Sequence, residues 1–526
     1  MHMPTSGHVQ HVMRANDVGI LALEVYFPRY YVAQSDLEVA DECVGKYTKG
    51  LGQQALGVCT LQEDISSISL TVVNNLVNRL NLDLRNVGFL EVGTETMIDK
   101  SKSTKTILMR LFKECGNLDV EGADVKNACF GGTAALFHAI DWIESSAWDG
   151  RLALVVAGDI AIYGSKAARP TGGAGAVAIL LGPEAPLVFD PGLRAHHARD
   201  QYDFYKPDMS SEYPMVDGKL SMRCYQESLL SCYRTYKRKA TVRGQFDVTV
   251  LSSPPFRDPN APPAISQTID YMCFHAPFSR LVQKAFGWLA LEDVKSQTDP
   301  SANTGTKAAT NASAENSICT SSLGDEVEIQ AKRPSQTIDP IIFSALKGLC
   351  DNNTSHSPIS DRDLEASCVQ ASKDLFAAKV EPGLVFAKHI GNMYTASLYA
   401  CLISLLLSVP LRDLRGRRIM MYSYGSGLLA AMFSLYVHPT RSVTNLLQSM
   451  CTSHARDNPI FKRLFESRTR LSIPQFEEIL EERRKLHNTA TCTPSERPDC
   501  LFPGSYYLIH VDERYQRTYG KIPTAV

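Results

Sequence analysis

The segment Asn127-Ala128-Cys129-Phe130-Gly131-Gly132-Thr133-Ala134-Ala135-Leu136 sets a cysteine, an aromatic ring and paired glycines at the head of an apolar helix. A second segment, Gly391-Asn392-Met393-Tyr394-Thr395-Ala396-Ser397-Leu398-Tyr399, again leads an aromatic ring and a threonine into apolar residues. Each is followed by an apolar run, a glycine-bearing turn and another apolar run, within Leu152 to Leu181 in one case and Ile419 to Tyr436 in the other. Two copies in the same order predict a duplicated half-domain.

Apolar runs of strand length recur at Val18 to Phe27, Val87 to Val92, Leu152 to Ala157, Ala176 to Leu181, Ile269 to Phe274, Ile419 to Ser423 and Tyr506 to Val511. Helical patterns lie between several of them, at Ile65 to Leu80, Gly132 to Trp142, Phe278 to Trp288 and Ser397 to Leu407. The alternation predicts α/β layers. The longest apolar stretch, Leu398 to Val409, is interrupted by Cys401 and Ser404. It is too short for the ~30 Å hydrocarbon layer of a membrane and reads as a buried helix.

A length of 526 residues exceeds one ordinary domain. The expected division is a leader over 1–16, a first half over 17–190 with Glu95 and Cys129, and a second half over 191–526 with His275. Gln297 to Gln336, rich in Ser, Thr, Asn and Ala, reads as a disordered polar insertion, and Arg257 to Pro263 as a proline-rich loop. The leader has one arginine, several histidines and no acidic residue, which makes a poor secretory signal and a weak organellar presequence. The expected location is cytoplasmic, with the mitochondrion as the alternative.

A formal net charge of -2 gives no global field to collect nucleic acid or an anionic membrane. The fourteen cysteines include no CxxC pair, so most are expected reduced and buried. There is no P-loop, HExxH, EF-hand loop or GxSxG. The glycine-rich run Thr171 to Ala176 leads into an apolar strand rather than a phosphate-binding helix.

Cys129 is a candidate nucleophile. At a helix N-terminus the free N–H groups and the dipole favour a thiolate and bind the oxygen of an acyl thioester, and the paired glycines admit an acyl chain close to the backbone. The alternative is a small buried hydrophobe. Glu95 ends an apolar strand where partial burial suits a carboxyl to proton transfer; the alternative is a carboxylate bonded to turn amides. His275 follows another apolar strand, in a place more often structural than catalytic. Asn392 and Ser426 lie in glycine-flanked turns whose N–H groups can converge on a substrate oxygen. Lys46, Lys49, Arg280 and Lys284 form a candidate basic patch for phosphates.

The Asn127 to Thr133 block resembles the nucleophile motif of eukaryotic 3-hydroxy-3-methylglutaryl-CoA synthases. Further similar blocks are Gly45-Lys46-Tyr47-Thr48, Glu91 to Lys102, Ala157 to Ala161, Ala168 to Gly173, Tyr202 to Asp208, Gly391 to Thr395 and Ser423 to Gly427. The likeness runs from about Asp17 to Tyr519. It implies the thiolase-like five-layer α-β-α-β-α core built from two pseudo-repeated halves, a homodimer, and no metal or prosthetic group. It further implies that acetyl-CoA acetylates Cys129, that Glu95 acts as general acid/base in condensation with acetoacetyl-CoA, and that His275 holds and polarises that substrate. Thr171, Ser221, Lys284, Asn392 and Ser426 are implied contacts to substrate or CoA. Cys43-Val44 and Ala167 depart from the family pattern, which has an Asp-Ala pair and an Asn there. Other readings are a ketoacyl synthase or thiolase relative, against which Glu95 discriminates, and a non-catalytic acyl-CoA-binding scaffold.

Overall fold

Eight strands frame the core: β1 (Gly19–Tyr26), β2 (Val87–Gly93), β3 (Leu152–Ala161), β4 (Gly173–Gly182), β5 (Leu187–Phe189), β6 (Tyr271–Phe274), β7 (Arg418–Gly425) and β8 (Leu429–Val437). They belong to a computed structural model that describes residues 15–164, 168–244, 246, 248–252, 264–298, 340–352, 361–448, 457–494 and 500–524. Nearly every strand residue is buried on both faces, which is why these strands read as continuous apolar runs rather than as alternation. The Arg257 to Pro263 loop, most of the polar insertion and most of the leader lie outside the described residues.

Four helices lie against the strands: α1 (Ile65–Leu80), α2 (Gly131–Glu144), α3 (Gly218–Val242) and α4 (Ser397–Ser408). In the first half β2 runs parallel to β3, and β3 pairs antiparallel with β4, which pairs antiparallel with β1. In the second, β6 runs parallel to β7, β7 pairs antiparallel with β8, and β8 with β5. The two sets repeat one topology, each with its apolar helix between its two parallel strands: α2 precedes β3, as α4 precedes β7. A short bridge from β5 to β1 joins them into one ten-stranded sheet.

α1 covers β1, β3 and β4, and α3 packs on β7 and β8. α2 is sandwiched: it lies on β2 and β3, while its Phe137 meets Phe433 of β8 edge to face and its Thr133 hydroxyl donates to Ser423 of β7 at 2.8 Å. Tyr399 of α4 bonds the same Thr133 hydroxyl at 2.9 Å. The result is the α-β-α-β-α order of a thiolase-like fold.

α1 keeps the predicted bounds because Asp64 and Ser67 form a reciprocal capping box and Asn81 closes it in the left-handed region. α4 is apolar on every face since its first eleven residues are all buried. Truncating Leu402 there, which has no exposed surface, costs roughly 2–5 kcal/mol. β4 starts at Gly173, earlier than the apolar run suggests. A Cβ on Gly173 would stand 2.5 Å from Ile390 O and 2.7 Å from Asn392 O, so only glycine lets the strand lie against the second half's loop.

Ala128 and Tyr394 both take φ +43, each three residues ahead of its helix. Neither helix has a side-chain cap; turn carbonyls take up leading N–H groups instead, Gly131 N–H donating to Ala128 O at 3.2 Å and Thr133 N–H to Phe130 O at 2.9 Å, as Ala396 N–H donates to Met393 O at 3.0 Å. Residues 506–521 fold back on the first half as a hairpin of Tyr506–Val511 with Arg517–Lys521. Tyr506 donates its N–H to the Thr71 hydroxyl of α1 at 2.9 Å, and Arg517 pairs with Asp64 at 3.0 Å.

Candidate active site

The left-handed turn at Ala128 presents Cys129 two residues before the first turn of α2. Its side chain packs among Ala161, Tyr163, Ala168, Phe204 and Tyr394. The thiol donates to Glu95 Oε1 across 3.7 Å, within the longer reach of a sulfur hydrogen bond. Glu95 comes from the loop that ends β2, Cys129 from the turn before α2, and the two are 34 residues apart.

Asp159, wholly buried on β3, holds that loop. One of its oxygens accepts from the Thr94 hydroxyl, the Glu95 N–H, the Thr96 N–H and the Thr96 hydroxyl, at 2.8, 2.9, 2.9 and 2.8 Å. The other accepts from the N–H and hydroxyl of Thr395 in the second half, at 3.0 and 2.5 Å. Lys206, beyond the short strand Phe204–Tyr205, places its ammonium 3.4 Å from Glu95 Oε2 and 4.8 Å from the centre of the Tyr394 ring.

These surroundings set the proton affinities. Burial raises the Glu95 carboxyl to about 7; the Asp159 charge adds to the rise, while Lys206 and the Cys129 hydrogen bond oppose it. The Cys129 thiol is pushed well above its ordinary value by burial, then by the charges of Glu95 and Asp159. This reverses the expectation of a lowered thiol. Two carboxylates and loss of water outweigh a helix end that begins one residue beyond the sulfur's neighbour, so the resting sulfur is protonated. The paired glycines also have another use. A Cβ on Gly132 would meet Thr395 O at 2.7 Å and the Ala157 Cβ at 2.8 Å, and one on Gly131 would meet Val125 O at 3.0 Å. They let α2 close on β3 and on the second half, rather than admitting an acyl chain.

His275 follows β6 and is 2% exposed. Its N–H donates to Tyr422 O at 2.8 Å and its carbonyl accepts from the Tyr225 hydroxyl at 2.9 Å, which fixes the backbone. Nδ1 has no hydrogen-bond partner among the described residues, and burial lowers the ring to about 3, so it is neutral. β6 borders β7, whose Gly425 abuts the Phe130 N–H closely enough that a Cβ there would stand 2.5 Å from it.

The Ser426 turn is tied to the cysteine turn by Asn127 Nδ2, which donates to Ser426 O at 3.2 Å. Buried Asp203 holds the same turn, accepting from the Tyr424 hydroxyl at 2.7 Å and from the Gly427 N–H at 3.0 Å. Asn392 is buried and its Oδ1 accepts from the Tyr394 N–H at 2.9 Å, next to the cysteine cluster. Thr171 caps its own turn on Ala168 O at 2.7 Å and lies beside the Tyr163 hydroxyl. Ser221 lies in the first turn of α3. Lys284 pairs with Glu365 at 2.6 Å, on a helix whose Arg280 N–H bonds Leu51 O at 2.9 Å, beside the Lys46–Lys49 loop. Neither Ser221 nor Lys284 has a contact with the Cys129 cluster among the described residues. Val44 is 85% exposed, and Ala167 lies outside the described residues.

Reasoning from sequence did not single out Lys206 or Asp159. The signal for Asp159 was a lone charge inside a buried apolar strand, which needs dedicated partners. Lys206 lies in the family-like block Tyr202 to Asp208, but a lysine in a polar loop reads as solvated.

The family profiles described as hydroxymethylglutaryl-coenzyme A synthase N terminal and C terminal match residues 14–186, and 187–332 with 328–522, respectively. The mitochondrial hydroxymethylglutaryl-CoA synthase of Rattus norvegicus is 44% identical over 508 residues, spanning 96% of this chain and 90% of that protein. The cytoplasmic enzyme of Homo sapiens is 42% identical over 513 residues, spanning 97% and 88%. Among solved structures, MvaS in complex with 3-hydroxy-3-methylglutaryl coenzyme A superposes with a TM-score of 0.71 at 28% identity, over 97% of this chain and 100% of that one.

Proposed function

The chain belongs to the hydroxymethylglutaryl-CoA synthase family, and from that premise we propose how its residues carry the reaction. It is an acyl-transferring enzyme that condenses acetyl-CoA with acetoacetyl-CoA and water to give 3-hydroxy-3-methylglutaryl-CoA and CoA, the chemistry of the mevalonate route to isoprenoids and sterols. The observation that carries the assignment of roles is the 3.7 Å contact between the Cys129 thiol and the Glu95 carboxyl.

Cys129 attacks the acetyl carbonyl of acetyl-CoA. The sulfur–carbon bond to CoA breaks, and the thiol proton passes in net to the departing CoA sulfur. A thiol that rests protonated loses its proton as the acyl carbon approaches, and acetylation replaces a costly buried thiolate with a neutral thioester. The acetyl methyl then stands two bonds from the sulfur, within reach of the Glu95 oxygen that faced the thiol. Glu95 removes a methyl proton, the resulting carbon nucleophile adds to the ketone of acetoacetyl-CoA, and the alkoxide is protonated. A carboxyl near 7 serves both directions of proton transfer at neutral pH. His275, neutral and with a ring nitrogen unengaged, suits hydrogen bonding to the ketone oxygen. The N–H groups of Cys129 and Ser426 are the ones we assign to the developing oxyanions. Water then cleaves the Cys129 thioester and returns the thiol.

We take Thr171, Ser221, Asn392 and Ser426 as contacts to substrate or CoA, and Lys284 as a phosphate contact in competition with Glu365. The halves 17–190 and 191–526 are taken as the two units of one homodimeric enzyme without a metal or prosthetic group, to be checked by light scattering and metal analysis. Matching relatives include both mitochondrial and cytoplasmic enzymes. Imaging a tagged fusion of the full chain distinguishes the two locations.

The central test is radiolabelled acetyl-CoA. Label on Cys129, lost in Cys129→Ala, followed by 3-hydroxy-3-methylglutaryl-CoA when acetoacetyl-CoA is added, is the expected result. Label without that product overturns the synthase reading, and absence of label overturns the nucleophile.

A further inference from the structure

The two oxygens of Glu95 face different partners. Oε1 meets the Cys129 thiol at 3.7 Å and Oε2 meets the Lys206 ammonium at 3.4 Å. The Lys206 and Glu95 side chains are 19% and 8% exposed, so solvent screens the pair far less than it would on the surface. The ammonium also lies 4.8 Å from the Tyr394 ring centre and 5.7 Å from that of Phe204. Those aromatic faces hold a cation in place independently of the charge on Glu95. A separation of 3.4 Å is longer than a strong charge-assisted hydrogen bond, so the interaction acts chiefly through charge.

The ionisable groups facing Glu95 are Cys129 from the turn before α2, Asp159 on β3, Tyr163 beyond β3, Tyr394 before α4, and Lys206. Among the described residues, Lys206 is the one cation in that set. Every other member favours the protonated acid when charged, and burial does the same. A carboxyl that must take a methyl proton in one step and give one back in another needs a counterweight, or it stays neutral and cannot begin.

We propose that Lys206 is a positioning residue for condensation: its ammonium keeps Glu95 available as a carboxylate and turns the oxygen it does not engage toward the acetylated sulfur. The inference rests on the reading of Glu95 as acid/base, and it adds a residue to that machinery without requiring contact between Lys206 and substrate. Acetylation of Cys129 does not depend on it.

The test compares pH profiles of condensation for the parent enzyme, Lys206→Met and Lys206→Arg, with label transfer from radiolabelled acetyl-CoA run on each. In Lys206→Met the acid limb moves up by about one pH unit, a roughly tenfold loss at a fixed pH below the limb, while Cys129 still takes label. Lys206→Arg returns the limb toward its original position. Label transfer identifies folded protein, and Lys206→Gln is read in place of the methionine variant if the latter takes none. Coincident limbs for parent and Lys206→Met, or a shift that arginine does not reverse, overturn the proposal. Glu95→Gln separates the two readings: if it still condenses, the role of Glu95 itself has failed; if it does not, an unmoved limb in Lys206→Met counts against Lys206 alone.

Discussion

Thr395 donates both its backbone N–H and its hydroxyl to one oxygen of Asp159, at 3.0 and 2.5 Å, while the other oxygen of the same carboxylate carries the loop of Glu95. One buried acid thus sets the position of Glu95, the proposed general acid/base, and locks the approach to α4 against β3. Its lone pairs are fully committed, so it serves as a frame rather than as a proton carrier.

Asp159→Asn keeps the shape but turns an NH2 group toward donors that then lack an acceptor. The expected loss is on the order of 3 kcal/mol. It is checked by the apparent Tm, and condensation is expected to fall at least tenfold at temperatures where the variant remains folded. An unchanged Tm contradicts the framing role.

Glu95→Gln should stabilise the protein at pH 8 and have little effect at pH 4. The folded carboxyl, near 7, lies above its ordinary 4.5, so the folded state binds more protons between those values. Stability contributed by the protonated acid is therefore lost as pH rises from about 4.5 to 7, and a neutral amide avoids that loss. The gain is on the order of 3 kcal/mol. Thermal melts across that window read it, and a gain that grows toward acid pH would reverse the assigned cause.

Gly93→Ala puts a Cβ 2.5 Å from the backbone of Gly131 and Gly132. Backbone on both sides cannot yield, so the first turn of α2 must retreat and carry Cys129 away from Glu95. Overpacking of this kind costs about 1–3 kcal/mol. Acetyl transfer should drop more than the melting temperature does, and a variant with parental labelling would show that the approach of α2 to β2 is not needed.

His275 should not titrate between pH 5 and 9, because burial has lowered its ring to about 3. The unfolded ring protonates near 6.5, so this site withdraws stability as pH falls from about 6.5 to 3. Proton NMR of the ring C–H resonances, assigned with His275→Gln, reads it. A midpoint near neutrality would mean that a carboxylate or water reaches the ring.

The fold was legible where burial is continuous: Ile65 to Leu80 and Tyr506 to Val511 have the predicted bounds, because a capping box and a two-strand hairpin fix their ends locally. The doubled segment at 127–136 and 391–399 was legible as a repeat, although the left-handed residues make Ala128, and not the aromatic Phe130, the backbone counterpart of Tyr394. The site was legible only in part. Cys129 and Glu95 stood out at the ends of apolar elements, but the sign of the thiol's shift depends on Glu95 and Asp159, whose distance from the sulfur no spacing encodes. Glycines 131 and 132 suggested ligand access because a close neighbour of both, Thr395, lies far along the chain in the second half. The role of Lys206 was hidden for the same reason: what distinguishes it within its block is a partner 3.4 Å away in space and in another part of the sequence.

The hairpin of residues 506–521 lies on α1, and the bond from Tyr506 to Thr71 spans 435 residues. During synthesis at about 5–20 residues per second, α1 leaves the ribosome roughly 20–90 s before its cover arrives. For that interval the nascent amino-terminal half presents an unfinished apolar flank, where Tyr506 and Tyr519 later pack.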